Sequence, residues 1–320
     1  MDERPIIVIP GDQSPGFLSP SNLAHLRSYG DLRIFDPPLR DLDEFVRRTE
    51  DATIIVNSTL AIPAEIFGSL PKLKMIVMPG VGTDLIPLEE AEKRGIVVAN
   101  VPNTTSYVVA EHAIALMLGV AKQLAYQTAA IRSGRWEEVG TLLVRGKTLG
   151  IIGTGGIGTQ VARLGNAFGM HVIAWTMHPS LQRAEALGVS YLEVDELLQD
   201  SEVIIICIPL TSTTHHLIGQ REFEIVKSGV ILVNVSRGKI VNQDALVAAL
   251  NTGKVGGAGL DVFEEEPVPA DSPLLKCKHL VLTPHVGGTT PEAIALIDNG
   301  VVENIIAFLE GRPQNLVQLG

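Results

Sequence analysis

The stretch LGIIGTGGIGTQVARLG, Leu149 to Gly165, decides how the chain is read. Leu149 to Ile152 have the apolar make-up of a short buried strand, and Thr159 to Phe168 continue at helical spacing. Between them Gly153, Gly155 and Gly158 fit G-x-G-x-x-G, the turn that binds dinucleotides when a strand precedes it and a helix follows. The first glycine permits a sharp bend, the second lets the backbone approach a pyrophosphate, and the third lets helix and strand pack closely. The amides around Gly156 and Ile157 then face the phosphates with the positive end of the helix dipole. No Gly-Lys-Ser/Thr ends the turn, so it is not a P-loop.

The same rhythm extends both ways along the chain. Downstream, HVIAW, VIIICIP, VILVNVS, VGGAGLDV and LVLTPH read as further buried strands; upstream, IIVIP, LRIF, TIIVN, KMIVMP and GIVVAN form a first series, with helices predicted at Ser19–Ser28 and Pro63–Leu70. Alternation of this kind implies parallel sheets covered on both faces, here two doubly wound ones. Thr104 to Arg132 reads as one long helix, and a second runs from about Pro291 to Leu309. The last helix is expected to return to the first sheet, with hinges near Asn100 and Gly288, which makes the first domain discontinuous.

Composition narrows the function. The 320 residues carry a net charge of −11 with 46% hydrophobic and 19% charged residues, a globular balance without the clustered Lys and Arg that phosphate backbones demand. Nucleic acid is therefore not an expected partner, and neither is a membrane, since no run reaches about 18 apolar residues. MDERPIIVIP reads as charge entering a strand rather than a leader, and Cys207 and Cys277 lack metal-ligand spacing. A cytoplasmic protein with free thiols and no metal site is expected.

A dinucleotide turn is usually followed, about 20 residues on, by an acid that holds the adenosine ribose. Thr176 stands there, followed by Met177 and His178. A neutral Thr bonds a hydroxyl without repelling an added phosphate, so the cofactor is read as NAD or NADP, with His178 or Arg183 available to the phosphate. Three polar residues also close strands that have no structural need of them: Arg237 in ILVNVSRGKIV, an acid in GAGLDVFEEEPVP, and His285 in LVLTPHVGG. A guanidinium, a carboxylate and an imidazole at strand ends suit hydride exchange with a 2-keto acid. That reaction needs a cation for the carboxylate and carbonyl, an acid for the forming alkoxide, and a group that tunes the acid. The residues alone do not separate Glu264, Glu265 and Glu266.

GVGTDLIPLEEAEKRGIVVANVPN, VAEHAIALML, GTGGIG, NVSRG, LDVFEEEP and TPHVGG, in this order over nearly the whole chain, resemble the D-isomer-specific 2-hydroxyacid dehydrogenases. The resemblance implies an α/β fold of two doubly wound domains. Residues 1–99 with 286–320 would form a discontinuous flavodoxin-like substrate domain, and residues 100–285 a Rossmann NAD(P)-binding domain through which homodimers form. It implies Arg237 as the substrate-orienting cation, His285 as the acid/base and Glu266 as its partner. It further implies Asp261 on the nicotinamide carboxamide, the amides of Val81 and Gly82 as a carboxylate cradle, and Pro209, Val235, Ser236 and Gly287 as cofactor-pocket wall. The chain departs from the family pattern at Thr176, at Cys207 where many members carry His, and at NSTLAI, which lacks the arginine of phosphoglycerate-specific members. Glu266 in place of Gln argues against a formate dehydrogenase. A small unphosphorylated 2-keto or 2-hydroxy acid is the expected substrate. The alternative is a dinucleotide-sensing regulator of corepressor type, against which the lack of a docking extension counts.

Overall fold

In the computed structural model, which describes residues 4–11, 18–36, 39, 41–58 and 60–317, every strand pairing within two sheets is parallel. The first series comprises β1 (Ile6–Ile9), α1 (Pro20–Tyr29), β2 (Asp31–Ile34), α2 (Leu42–Thr49), β3 (Ile54–Val56), β4 (Met75–Val77), α3 (Leu88–Lys93) and β5 (Val97–Ala99). Its sheet order is β2-β1-β3-β4-β5, the flavodoxin-like winding. Side chains alternate between the faces of each strand. Ile7, Ile54, Val56, Met75 and Val77 share one core, and Val8, Ile55 and Ile76 share the other with Phe45 and Phe67.

The second series comprises α4 (Ser106–Ala121), α5 (Leu124–Arg132), β6 (Thr148–Ile152), α6 (Gly156–Ala167), β7 (His171–Trp175), α7 (Leu181–Leu187), β8 (Ser190–Tyr191), α8 (Val194–Asp200), β9 (Val203–Ile206), α9 (Gln220–Ile225), β10 (Val230–Asn234), α10 (Gln243–Asn251), β11 (Val255–Leu260) and β12 (Leu280–Leu282). Its seven strands run β12-β11-β10-β9-β6-β7-β8, a Rossmann winding with one strand added. Leu149, Ile151, Val203, Ile205 and Val233 pack with Ala110, Ala113 and Met117 of α4, and Ile204, Ile206 and Leu232 pack on the opposite face with Leu197 and Leu246.

Finally α11 (Pro291–Leu309), capped by Thr290 and opened by a proline, sets Val301, Val302 and Ile305 into the first sheet's core. Two compact units result: Met1–Thr105 with Thr289–Gly320, and Ser106–Gly288. Both junctions fall a few residues later than the 99/100 and 285/286 expected. Residues 100–101 stay with the first unit through Val101 N–H to the Gly80 carbonyl (2.8 Å) and Asn304 Nδ2 to the Asn100 carbonyl (2.8 Å). Val286 and Gly287 stay with the second, both amides donating to Asp261.

Two helix expectations need correction. Thr104–Arg132 is not one helix: α4 and α5 meet at 60°. Gln123 takes a left-handed φ of 49° at the break, while its Nε2 donates to the Gly140 carbonyl (2.7 Å) and Lys122 Nζ to that of Leu142 (2.8 Å). Tertiary bonds thus replace the helix ladder where no Gly or Pro marks a stop. Pro63–Leu70 is a 3-10 turn over Ala64–Ser69. No single helix among the described residues is long and apolar enough to cross a membrane; α4 and α5 pass that test only as a bent pair.

The fingerprint glycines divide by what surrounds them. A Cβ on Gly158 would stand 1.9 Å from the Gly153 carbonyl oxygen, whereas one on Gly155 would meet nothing within 4 Å. Gly158→Ala is expected to destabilise the second unit by about 2–4 kcal/mol in chemical denaturation. Gly155→Ala should cost less, about 0.5–1 kcal/mol, the preference of a helix N-cap for glycine over alanine.

Candidate active site

In the second unit the chemistry-bearing residues all stand where parallel strands end, the carboxyl edge at which open α/β sheets bind ligands. After β6, Gly153 bends with φ 98°, its amide donating to the Trp175 carbonyl at 2.7 Å. A Cβ there would lie 2.8 Å from the Cys207 carbonyl oxygen, so only glycine lets the turn lie against the end of β9. Helix α6 then begins with Gly155 as N-cap and no capping side chain. Its leading amides, from Gly156 and Ile157 onward, are thus left to an external acceptor, and the open space at Gly155 leaves room for one. These are the properties a pyrophosphate requires, so the turn fits a dinucleotide. Thr154 is buried, with its hydroxyl 2.8 Å from Tyr191 Oη.

The neighbouring strand ends complete this wall. Thr176 follows β7 half-buried, with Met177 and His178 exposed beside it. Cys207 follows β9 half-buried, and desolvation pushes its thiol up to about 12, which keeps it protonated near neutral pH. Pro209 is fixed by a knot of threonines, its carbonyl accepting from Thr214 Oγ1 at 2.7 Å. After β10, Val235 is buried, and the Ser236 hydroxyl donates to the Ile208 carbonyl.

Arg237 leaves the same loop. Asn234 Nδ2 holds the Arg237 carbonyl (2.9 Å), and Arg237 Nη1 donates to the Ser236 carbonyl (2.8 Å). A Cβ on Gly238 would fall 1.8 Å from the Phe263 carbonyl carbon. The glycine after Arg237 therefore allows its loop to lie backbone-to-backbone on the acidic segment that follows β11.

That segment sorts the three acids. Glu264 turns to an anchoring site, 3.0 Å from His216 Nε2, and accepts the Gln243 amide of α10 at 2.9 Å. Glu265 is exposed. Glu266 accepts the Phe263 amide on Oε1 (2.9 Å) and meets His285 Nδ1 with Oε2 at 2.8 Å. Burial alone pushes the Glu266 carboxyl up. The hydrogen bond from His285, the Phe263 amide and the nearby charges of His285 and Arg237 outweigh it and hold the group below its ordinary range.

His285 sits after β12 with a left-handed φ of 54°. Its amide donates to the Asp261 carbonyl (2.8 Å). The Asp261 side chain, 2% exposed, accepts from Thr283 Oγ1 (2.6 Å), Val286 N (2.9 Å) and Gly287 N (2.8 Å). Its carboxylate is thus bonded within the histidine loop. Two partners in this network went unread in the sequence: Thr283, and His112 of α4, whose Nε2 is 2.9 Å from Thr283 Oγ1 and 3.3 Å from Asp261 Oδ1. The only signal for His112 is its place beside Glu111 as one of two polar residues in the otherwise apolar run VAEHAIALML.

The second unit therefore brings together His285, Glu266, Asp261 and Gly287, with the Arg237 charge acting on Glu266. Val81 and Gly82 belong to the first unit, in the bend after β4. Asn100 Nδ2 holds the Val81 carbonyl there (2.7 Å), and neither amide hydrogen is spent on a bond among the described residues.

Comparison with known proteins identifies the family. The family described as "D-isomer specific 2-hydroxyacid dehydrogenase, NAD binding domain" matches residues 114–287. A glyoxylate reductase of Korarchaeum cryptofilum is 39% identical over 88% of this chain and 86% of its own length. Among solved structures, an acyclic imino acid reductase in complex with NADPH and D-Arg superposes with a TM-score of 0.89 at 25% identity, over 98% of this chain and all of that one. A D-lactate dehydrogenase from Aquifex aeolicus complexed with NAD and lactic acid does so with a TM-score of 0.86 at 30% identity, over 98% of each. The chain belongs to the D-isomer-specific 2-hydroxyacid dehydrogenase family, oxidoreductases that use NAD or NADP.

Proposed function

We propose that the chain reduces a small unphosphorylated 2-keto acid, such as glyoxylate, to its D-2-hydroxy acid, with His285 as acid/base, Glu266 as its partner and Arg237 orienting the substrate. The observation that carries this reading is the 2.8 Å contact between His285 Nδ1 and Glu266. It commits one ring nitrogen to a carboxylate and leaves Nε2 without a partner among the described residues. Nε2 then gives its proton to the oxygen that becomes the alcohol, and takes it back in the reverse direction. The Arg237 fork binds the substrate carboxylate and carbonyl, and the Val81 and Gly82 amides are assigned as a carboxylate cradle. The bound nicotinamide supplies the hydride. Gly155, Gly156, Ile157 and Gly158 hold its pyrophosphate, Thr176 its ribose, Asp261 its carboxamide, and Pro209, Val235, Ser236 and Gly287 line its pocket.

A homodimer formed through the second unit belongs to the same proposal. Its support is apolar surface on and after α5, where Leu124, Ile131, Trp136 and Leu143 are 54%, 59%, 87% and 65% exposed.

The direct test is oxidation of NADH and NADPH with glyoxylate, hydroxypyruvate, pyruvate, phenylpyruvate and 2-ketoisocaproate. Turnover with at least one is expected; none with any would favour the regulatory alternative. Arg237→Ala should lose about 100-fold or more in kcat/KM while NADH still binds, and Lys should rescue poorly because an ammonium lacks the planar fork. Near-normal kcat/KM in the Ala variant would remove Arg237 from its role.

Glu266, held below its ordinary range by its bond to His285, is charged throughout the range in which an imidazole titrates. That charge stands 2.8 Å from His285 Nδ1 and orients the ring toward the forming alcohol. Glu266→Gln keeps the shape and removes the charge, so kcat/KM for keto-acid reduction should fall about 10-fold or more while NADH still binds, and an unchanged kcat/KM would dissociate Glu266 from the step.

Thr176→Asp should weaken NADPH by about 10-fold or more through repulsion of the 2′-phosphate while leaving NADH within about twofold. Unchanged KM for both cofactors would show that Thr176 does not face the ribose.

A further inference from the structure

Strand β11 reads VGGAGL, and its glycines admit α4. A Cβ on Gly257 would stand 2.7 Å from Val120 Cγ1, and one on Gly259 would stand 2.8 Å from Leu116 Cβ. Leu116 and Val120 are one four-residue step apart, about 6 Å along a helix. Gly257 and Gly259 are one two-residue step apart, about 6.6 Å along a strand. The two ladders run in opposite directions with nearly the same spacing, so the next rung pairs His112 with Asp261. The contacts bear this out: His112 Nε2 is 3.3 Å from Asp261 Oδ1, and a Cβ on Gly287 would lie 2.8 Å from Asp261 Oδ2 and 3.3 Å from His112 Cδ2.

The direction of each proton in this cluster follows from the acceptor at its centre. The Thr283 hydroxyl donates to Asp261 Oδ1 at 2.6 Å, so its one proton is spent there. Its oxygen is left to accept, and the donor within reach is His112 Nε2 at 2.9 Å. His112 therefore carries a hydrogen on Nε2 whatever its charge. The chain His112 to Thr283 to Asp261 continues to the amides of Val286 and Gly287, the bonds that flank His285. His285 needs such bracing because a left-handed backbone at a residue with a Cβ persists only where its surroundings over-determine it.

We infer that His112 is a positioning residue for His285, acting as the hydrogen-bond donor that locks Thr283 and Asp261 and thereby the backbone of the histidine loop. The inference rests on the reading of His285 as the acid/base.

The test compares His112→Phe, which keeps a ring and removes the donor, with His112→Gln, which returns an amide donor near the position of Nε2. In hydrogen–deuterium exchange of the full chain, the peptide carrying residues 285–287 should lose protection in His112→Phe and keep it in His112→Gln. In keto-acid reduction, kcat should fall about 10- to 100-fold in the Phe variant with the substrate KM within about twofold, and return to within about threefold of the parent in the Gln variant. Unchanged exchange, unchanged kcat, or equal losses in both variants would each overturn the inference. If His112→Phe fails to fold, Thr283→Val removes the relay alone and carries the same two expectations. His285→Ala, assayed in parallel, separates the failures. Should it keep its turnover, the reading of His285 is wrong; should it lose turnover while His112→Phe keeps it, only the role of His112 falls.

Discussion

A carboxylate withdrawn from water must have its oxygens satisfied, and the second unit is organised around one that is. Asp261, at the end of β11, gathers a hydroxyl and two backbone amides on its side chain and a third amide on its carbonyl. Leaving such a group unpaired would cost several kcal/mol. The loop that satisfies it is therefore held to one shape, and that loop carries His285. The segment that leaves Asp261 in the other direction folds back within five residues to present Glu266 to the same ring. Both partners of the pair are thus placed from a single buried group.

Close backbone approach does the rest. Gly153 lets the first turn rest on the end of β9, and Gly238 lets the arginine loop rest on the acidic segment. At these contacts the obstacle to a larger residue is a peptide group, which cannot swing aside as a side chain does. The result is a set of strand ends drawn together at one edge, with polar side chains carried by backbone that has little freedom to move.

Much of this was legible in the sequence because it rests on local patterns. Runs such as VIIIC and VILVN have the make-up of strands buried on both faces, Thr290 and Pro291 mark the start of α11, and strand-turn-helix context distinguishes the dinucleotide turn from a bare glycine cluster. The kink at Gln123 was not legible, because the apolar spacing runs on through it and the bonds that compensate come from residues 140 and 142. Nor did the glutamate run reveal which acid faces the histidine. That choice depends on His216 and on the first amide of α10, which claim Glu264 from more than twenty residues away. His112 and Thr283 were hidden for a similar reason: each belongs to an ordinary apolar pattern, and only the meeting of two distant segments gives it a partner.

The matched ladders of α4 and β11 act as a vernier. Helix and strand agree rung by rung only because four residues of one advance nearly as far as two of the other. A single residue inserted into β11 would turn Asp261 to the opposite face of the sheet, and a single residue inserted into α4 would rotate His112 by about 100° away from it. Such a unit drifts by substitution and by changes in loop length, while the lengths of these two elements can change only in concert, in steps of two and four.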